Sequence, residues 1–290
     1  MAFRTIVISN RCKLEYSLNY MVCRKGNDET RILLDEIRTI IIDTTQASMS
    51  SALITECFNN KIKILFCDNK HNPVGEAVPY QNNYYSYRKI KEQMAFNNRL
   101  KQRLWKKIVI QKIKNQANNL MYMGKNDQYK LLLSYADNVE DGDLTNREGH
   151  SAKVYFNALF GVGFSRDSEV LVNKYLNYGY SLMLSSINRE IKSLGYLTEL
   201  GIHHIGESNQ FNLSCDFIEP LRPIIDYFVL TTNLTEDNWK KELIGILNKD
   251  IKYNNKIFIL DNAIHLYVED LFNYLKTGEE NRIRFIEYEL

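Results

Sequence analysis

From residue 4 to about residue 80 the apolar positions fall into short β-branched runs separated by polar turns: Thr5-Ile6-Val7-Ile8, Leu14-Glu15-Tyr16, Tyr20-Met21-Val22-Cys23, Ile32-Leu33-Leu34, Thr39-Ile40-Ile41-Ile42 and Ile62-Lys63-Ile64-Leu65-Phe66. Gly26-Asn27-Asp28 and Asp68-Asn69-Lys70 supply turn chemistry. The spacing predicts a small β domain over residues 1–79. Within it Met49, Ala52, Leu53, Cys57 and Phe58 recur at helical spacing, so one helix over residues 48–59 should cross between the last two runs. After Pro79 the period becomes that of a helix. A polar, tyrosine-rich stretch from Tyr80 to Tyr87 marks a linker, placed at residues 80–89. Helices are predicted over residues 90–122 (one piece or two), 127–138, 148–160, 168–194, 216–230, 236–247 and 264–276. Residues 280–290 alternate charged and apolar side chains and read as a short extended tail. The fold class is therefore α+β, a small β domain followed by a larger helical domain over residues 90–290.

Composition adds limits. A chain of 290 residues suits two domains of about 150 residues each, and 44% hydrophobic with 25% charged residues describes a globular protein. Only four prolines and thirteen glycines argue against long disordered linkers. Five cysteines without paired spacing fit neither a zinc site nor a disulfide framework, and read as reduced, buried thiols. The amino-terminal apolar run is too short for a signal peptide, and no stretch nears the roughly 20 apolar residues of a membrane span, so no membrane role and a cytoplasmic location are expected. The net charge of +2 does not identify a nucleic-acid binder, because affinity for phosphate depends on where charges sit. Residues 88–114 are locally cationic: Arg88, Lys89, Lys91, Arg99, Lys101, Arg103, Lys106, Lys107, Lys112 and Lys114 face the single acid Glu92. Leu104, Trp105, Ile108 and Ile113 should point to the core, leaving the basic groups either simply solvated or facing phosphate.

Three segments of the second half carry groups suited to a divalent ion: Asn146-Arg147-Glu148-Gly149-His150, Gly201-Ile202-His203-His204, and Asp216-Phe217-Ile218-Glu219-Pro220-Leu221-Arg222-Pro223. Two carboxylates and an imidazole form a mixed oxygen and nitrogen set that favours Mg²⁺ or Mn²⁺ over a structural zinc, which usually recruits thiolates. Each position has a second role open to it. Thr145-x-x-Glu148 has the spacing of a capping box, with the glutamate reaching back to the cap. Arg147 suits a phosphate contact or plain solvent. His203 and His204 are adjacent and point different ways, so one of them is structural. Asp216 and Glu219 share one face if helical, yet equally suit the N-cap and third position of the helix that follows; Pro220 and Pro223 fit a first turn.

Taken in order, these segments resemble the CRISPR-associated integrases that insert new spacers into CRISPR arrays, the Cas1 family, over essentially the whole chain. The segment around Glu148 is similar to the family's first metal-ligand motif, the one ending at His204 to its histidine motif, and the one from Asp216 to its acidic motif. Between them Leu176-Asn177-Tyr178-Gly179-Tyr180 is similar to a characteristic helix, and Ser165-Arg166-Asp167 and Asn209-Gln210-Phe211-Asn212 resemble the type II-A branch. The resemblance implies an amino-terminal β-sandwich-like domain and an all-α catalytic domain. It further implies that Glu148, His204 and Glu219 are catalytic residues and ligands of Mg²⁺ or Mn²⁺, with Asp216 an auxiliary acid. His204 is preferred to His203 because the family's histidine ends a Gly-x-x-His pattern. The implied reaction is transesterification, joining the 3′-hydroxyl ends of a spacer-precursor duplex into the CRISPR repeat, with disintegration and endonuclease activity at the same site. The implied assembly is a homodimer, two of which flank a Cas2 dimer on DNA, with Csn2 and Cas9 as further partners. On the basic segment and its surroundings, Arg99, Arg103, Lys106, Lys107 and Arg147 are the expected DNA contacts.

Overall fold

The computed structural model describes residues 4–69, 73–77, 79 and 85–288. Lys70 of the second expected turn, residues 80–84 of the expected linker, and Glu289 and Leu290 of the tail lie outside the described residues. The chain divides into two compact units, Met1–Asn82 and Asn83–Leu290.

The first unit contains strands β1 (Arg4–Ile8), β2 (Lys13–Ser17), β3 (Tyr20–Lys25), β4 (Asp28–Leu33), β5 (Ile37–Ile42), β6 (Ser48–Met49), β7 (Lys63–Cys67) and β8 (Pro73–Ala77), with helix α1 (Ser51–Asn59). They form two four-stranded sheets, β1-β5-β7-β8 and β4-β3-β2-β6. β1, β5 and β7 run parallel, and α1 lies in the crossover that parallel neighbours require. β5 is a nearly continuous apolar run because it is a central parallel strand, and Ile37, Ile40, Ile41 and Ile42 are all buried. In the other sheet β2, β3 and β4 form a meander and β6 pairs parallel with β2; the β2–β3 turn places Leu18 and Asn19 at φ 49° and 65°, the twist of a tight hairpin. Leu14 and Met21 from this sheet, Ile40 and Ile64 from the first, and Leu53 and Cys57 from α1 share one core. The short β6 and the proline-led edge strand β8 lack the alternation by which strands are recognised. All five cysteines are free thiols; Cys12, Cys57 and Cys67 are buried, while Cys23 and Cys215 are half-buried.

The second unit is mostly helical: α2 (Ser86–Met94), α3 (Asn98–Tyr122), α4 (Asn126–Asp137), α5 (Arg147–Phe160), α6 (Leu171–Ser193), α7 (Asn212–Ile218), α8 (Arg222–Thr231), α9 (Trp239–Gly245) and α10 (Leu260–Thr277). The expected helix over residues 90–122 is two pieces, divided where Asn97 caps α3 by accepting from the Arg99 N–H at 2.8 Å. The expected helix over residues 216–230 is likewise divided into α7, a 3-10 turn Glu219–Leu221 and α8, since Pro220 and Pro223 occupy first-turn positions. Periodicity did not reveal the hairpin of β9 (Asp250–Tyr253) and β10 (Lys256–Ile259), whose turn places Asn254 and Asn255 at positive φ. Beyond α10 the start of the expected extended tail is a 3-10 turn, Glu280–Arg282, and further on Glu287 bridges to Lys252. Helix α3 is the axis of the unit, packing against α4, α5, α8 and the Glu219–Leu221 turn. Its Leu104, Ile108, Val109, Ile113, Ala117 and Leu120 are fully buried, each large side chain contributing about 1.5–3 kcal/mol.

Candidate active site

Glu148 enters the site from the first turn of α5. Before it, Asp143 and Asn146 both adopt φ 51°, folding the chain tightly into the helix. The buried Asp143 carboxylate accepts from the backbone N–H groups of Arg147 (2.9 Å) and Glu148 (3.0 Å), and the Asn146 side chain accepts from Gly149 N–H at 3.1 Å. Asp143 and Asn146 thus satisfy the otherwise unpaired donors of the helix start. The capping-box reading is therefore corrected: Thr145 is not the cap, and the Glu148 carboxylate does not reach back to it. It accepts instead from the ammonium of Lys112 on α3. The same ammonium donates to one oxygen of Glu219, whose other oxygen accepts from Arg222 Nε at 2.8 Å. Burial alone would push the Glu219 carboxyl up, but Arg222 and Lys112 outweigh it and hold the group at about 2. Burial also opposes the charge on Lys112, and here Glu219 and Glu148 prevail and raise its pKa.

His204 is positioned by Asp216, which is no helix cap, as the spacing had also allowed, but a fully buried residue inside α7. Its carboxylate accepts from the backbone N–H groups of Ile202 (2.7 Å), His203 (3.1 Å) and His204 (3.0 Å), and from His204 Nδ1 at 2.6 Å. A carboxylate only accepts, so Nδ1 carries the proton and the Nε2 lone pair of the neutral ring is left for a ligand. The loop closes around Asp216 only with glycine at 201: a Cβ there would lie 2.2 Å from the His204 carbonyl oxygen and 2.9 Å from Asp216 Oδ2. Asn212 ties the loop further, donating to the carbonyls of Glu199 (3.1 Å) and Gly206 (2.9 Å). His203 stacks on Trp105, with ring centroids 4.1 Å apart, and burial pulls its pKa down. The His204 pKa is raised, first by its hydrogen bond to Asp216, against burial, and then by the charges of Asp216, Glu219 and Glu148.

The family model described as CRISPR associated protein Cas1 matches residues 5–249. The chain belongs to the Cas1 family. It is 34% identical over 230 residues to a CRISPR-associated endonuclease Cas1 of Neisseria meningitidis serogroup C (strain 8013), covering 79% of this chain and 76% of that one. Among solved structures it resembles a casposase bound to integration product, with TM-score 0.78, 18% identity, and 96% and 92% of the two chains covered. It also resembles a chain of a Cas6-RT-Cas1–Cas2 complex, with TM-score 0.77, 16% identity, and 97% of this chain matching 36% of that longer one.

The Cas1-like motifs have visible physical work beyond the three candidate ligands. Gly179 lets α6 lie against α8, since a Cβ would come 2.5 Å from Ile225 Cγ2. Tyr178 packs edge-on against Trp239, and the Tyr180 hydroxyl donates to the buried Asp226. Arg166 of the Ser165-Arg166-Asp167 segment bonds Asn173 and Asn177. Of the expected DNA contacts, Arg99 is exposed, Arg103 and Lys106 are half-buried near Asp141, and Lys107 pairs with Glu280 at 3.1 Å. Arg147 lies over the ring of Tyr135, and its Nε is buried without a hydrogen bond. Lys112, counted from the sequence among the surface cations, is the one buried member of that segment among the described residues. Together with Asn115, which donates to the Pro220 carbonyl at 2.7 Å, and Asn119, which donates to that of Pro223 at 2.8 Å, it docks the acidic motif onto α3.

Among the described residues no three His, Cys, Asp or Glu side chains are drawn together tightly enough to form a metal cage. The donor chemistry nonetheless fits a divalent ion. Two carboxylates converge on one cation, the Lys112 ammonium, and a half-exposed imidazole that feels both of them keeps one nitrogen unbonded to Asp216.

Proposed function

We propose that this chain is a spacer-acquisition integrase, joining the 3′-hydroxyl ends of a spacer-precursor DNA duplex into a CRISPR repeat by metal-dependent transesterification. The observation that carries the reading is the convergence of Glu148 and Glu219 on one cation beside an imidazole that Asp216 holds in a single tautomer. Glu148, His204 and Glu219 would hold Mg²⁺ or Mn²⁺, which when bound supplies positive charge to the phosphodiester oxygens as the bond is exchanged. Asp216 orients His204 and keeps its proton on Nδ1. Arg222 keeps Glu219 ionised and fixes one of its oxygens, leaving the other to turn to a cation. The half-buried Lys106 and Lys107 and the exposed Arg99 on α3, with Arg103, would follow the duplex backbone through charge, without reading bases.

One phosphodiester is exchanged for another, so no nucleoside triphosphate is consumed. Reversal releases the joined strand, and water in place of the hydroxyl gives endonuclease action, in keeping with the name of the Neisseria meningitidis relative. The likeness to a Cas6-RT-Cas1–Cas2 complex supports a partnership with Cas2, and the likeness to a TtCas1-DNA complex supports action on DNA; the chain would work there as a homodimer beside a Cas2 dimer. The test is a labelled branched DNA carrying a half-joined spacer, incubated with Mn²⁺ and the wild type, Glu148→Ala or His204→Ala. Strand release and rejoining should require the metal and vanish in both variants. Activity persisting in both would remove these residues from the chemistry.

A further inference from the structure

Lys112 belongs to none of the three candidate ligand motifs, yet it is the residue on which two of them meet. Its side chain is 7% exposed, and its ammonium donates to Glu148 Oε1 and to Glu219 Oε2. Glu219 Oε1 is held separately by Arg222, whose guanidinium also lies over the Tyr180 ring at 4.7 Å. Two carboxylates are therefore matched by two fixed cations. A divalent ion added to that group would enter a neutral cluster, with one oxygen of Glu148 and both oxygens of Glu219 already bonded to nitrogen. If the ammonium alone withdraws, Glu148 Oε1 and Glu219 Oε2 become free together, and Arg222 still orients Glu219. These two oxygens and His204 Nε2 are the donors that the proposed function requires.

We propose that Lys112 is a built-in cation that holds Glu148 and Glu219 in place without metal and must leave them for a divalent ion to bind. The proposal rests on the integrase reading of the site. It explains how two carboxylates, one of them almost fully buried, can be gathered in a folded chain before any ion arrives, since unpaired they would repel and be costly to bury. The lysine's departure carries a price of two charge-assisted hydrogen bonds, so metal affinity in the wild type is lowered by more than about tenfold.

The test uses the full-length protein and Mn²⁺ alone, with free ion measured by its electron paramagnetic resonance signal. Lys112→Met keeps the length of the stem and removes the charge; Lys112→Gln is the second variant should the first fold poorly, which circular dichroism reports. The expected result is Mn²⁺ binding at least about tenfold tighter than in the wild type, because no ammonium has to be displaced. Melting temperature supplies a second readout: the metal-free lysine variants should melt lower than the wild type and be raised more by Mn²⁺. Equal or weaker Mn²⁺ binding in the folded variants overturns the proposal. Glu148→Gln and Glu219→Gln separate the two claims. If they bind Mn²⁺ as the wild type does, or if no protein binds it, the site reading itself has failed and the lysine proposal falls with it.

Discussion

Asp216→Asn is a nearly isosteric change whose effect can be worked out bond by bond. In the wild type Oδ2 accepts from the Ile202 and His203 N–H groups, and Oδ1 from the His204 N–H and Nδ1. Asparagine turns one of those oxygens into a donor. Turned toward Ile202 and His203 its NH₂ faces two N–H donors; turned toward His204 it faces one backbone N–H and donates to Nδ1 once the imidazole proton has moved to Nε2. At least one hydrogen bond to a buried carboxylate is lost in either case, so about 1.5–3 kcal/mol or more is removed from the ordering of this loop. The cost falls on a short segment, and local opening is the expected consequence rather than global unfolding. Amide hydrogen exchange at Ile202, His203 and His204 should accelerate by at least on the order of 10- to 10²-fold, while the buried amides of α3 keep their protection. Strand joining should fall in parallel, because His204 loses its fixed orientation. Unchanged exchange at those three amides in a folded Asp216→Asn protein would mean that the Asp216 carboxylate does not order this loop.

Three further outcomes follow from the same geometry. Asp143→Ala should cost about 1–2 kcal/mol in urea unfolding, whereas Thr145→Ala should stay within about 0.5 kcal/mol, because Asp143 and not Thr145 caps α5; the reverse order would restore the capping box. Burial lifts the Asp226 carboxyl from 3.8 to about 6, despite the hydrogen bond from Tyr180, so its ionisation costs the fold roughly 3 kcal/mol. The sign is that of a raised folded-state pKa: stability from this group is complete below about pH 3.8 and lost as pH rises through about 6. Asp226→Asn should therefore melt higher than the wild type at pH 8 and lose that advantage near pH 4, and a difference independent of pH would contradict the assignment. Neutral substitutions at Arg99, Arg103, Lys106 and Lys107 should lower the log–log salt slope of DNA binding by about 0.9 for each phosphate contact removed, and an unchanged slope would place the duplex elsewhere.

What the sequence made legible was whatever depends on local period. β-branched runs, the change to helical spacing after Pro79 and the apolar stripe of α3 rest on side chains whose burial repeats along one element. What it hid depends on partners far along the chain. Asp216 looked like a cap because its neighbours fit a helix start, yet its hydrogen bonds go to a loop 12 to 14 residues earlier. Glu148 looked like a capping-box member because Asp143 and Asn146, both at positive φ, move the helix entry to a place that spacing alone does not show. Lys112 looked like one more surface cation in a basic run. A signal was present: it lies four residues after Ile108 and seven after Trp105, on the buried stripe, with Asn115, Gln116 and Asn119 continuing as buried polar groups. The β9–β10 hairpin was hidden because its strands are four residues long and its turn uses Asn254 and Asn255 in place of glycine.

Anomalous diffraction from crystals of the protein grown with Mn²⁺ would locate a divalent ion held together by Glu148, His204 and Glu219. One strong peak is expected within roughly 2.0–2.3 Å of a carboxylate oxygen of Glu148, of one of Glu219 and of His204 Nε2, with the Lys112 ammonium no longer between the two carboxylates. A peak held by other residues, or Mn²⁺ absent from this site at saturating concentration, would contradict this assignment.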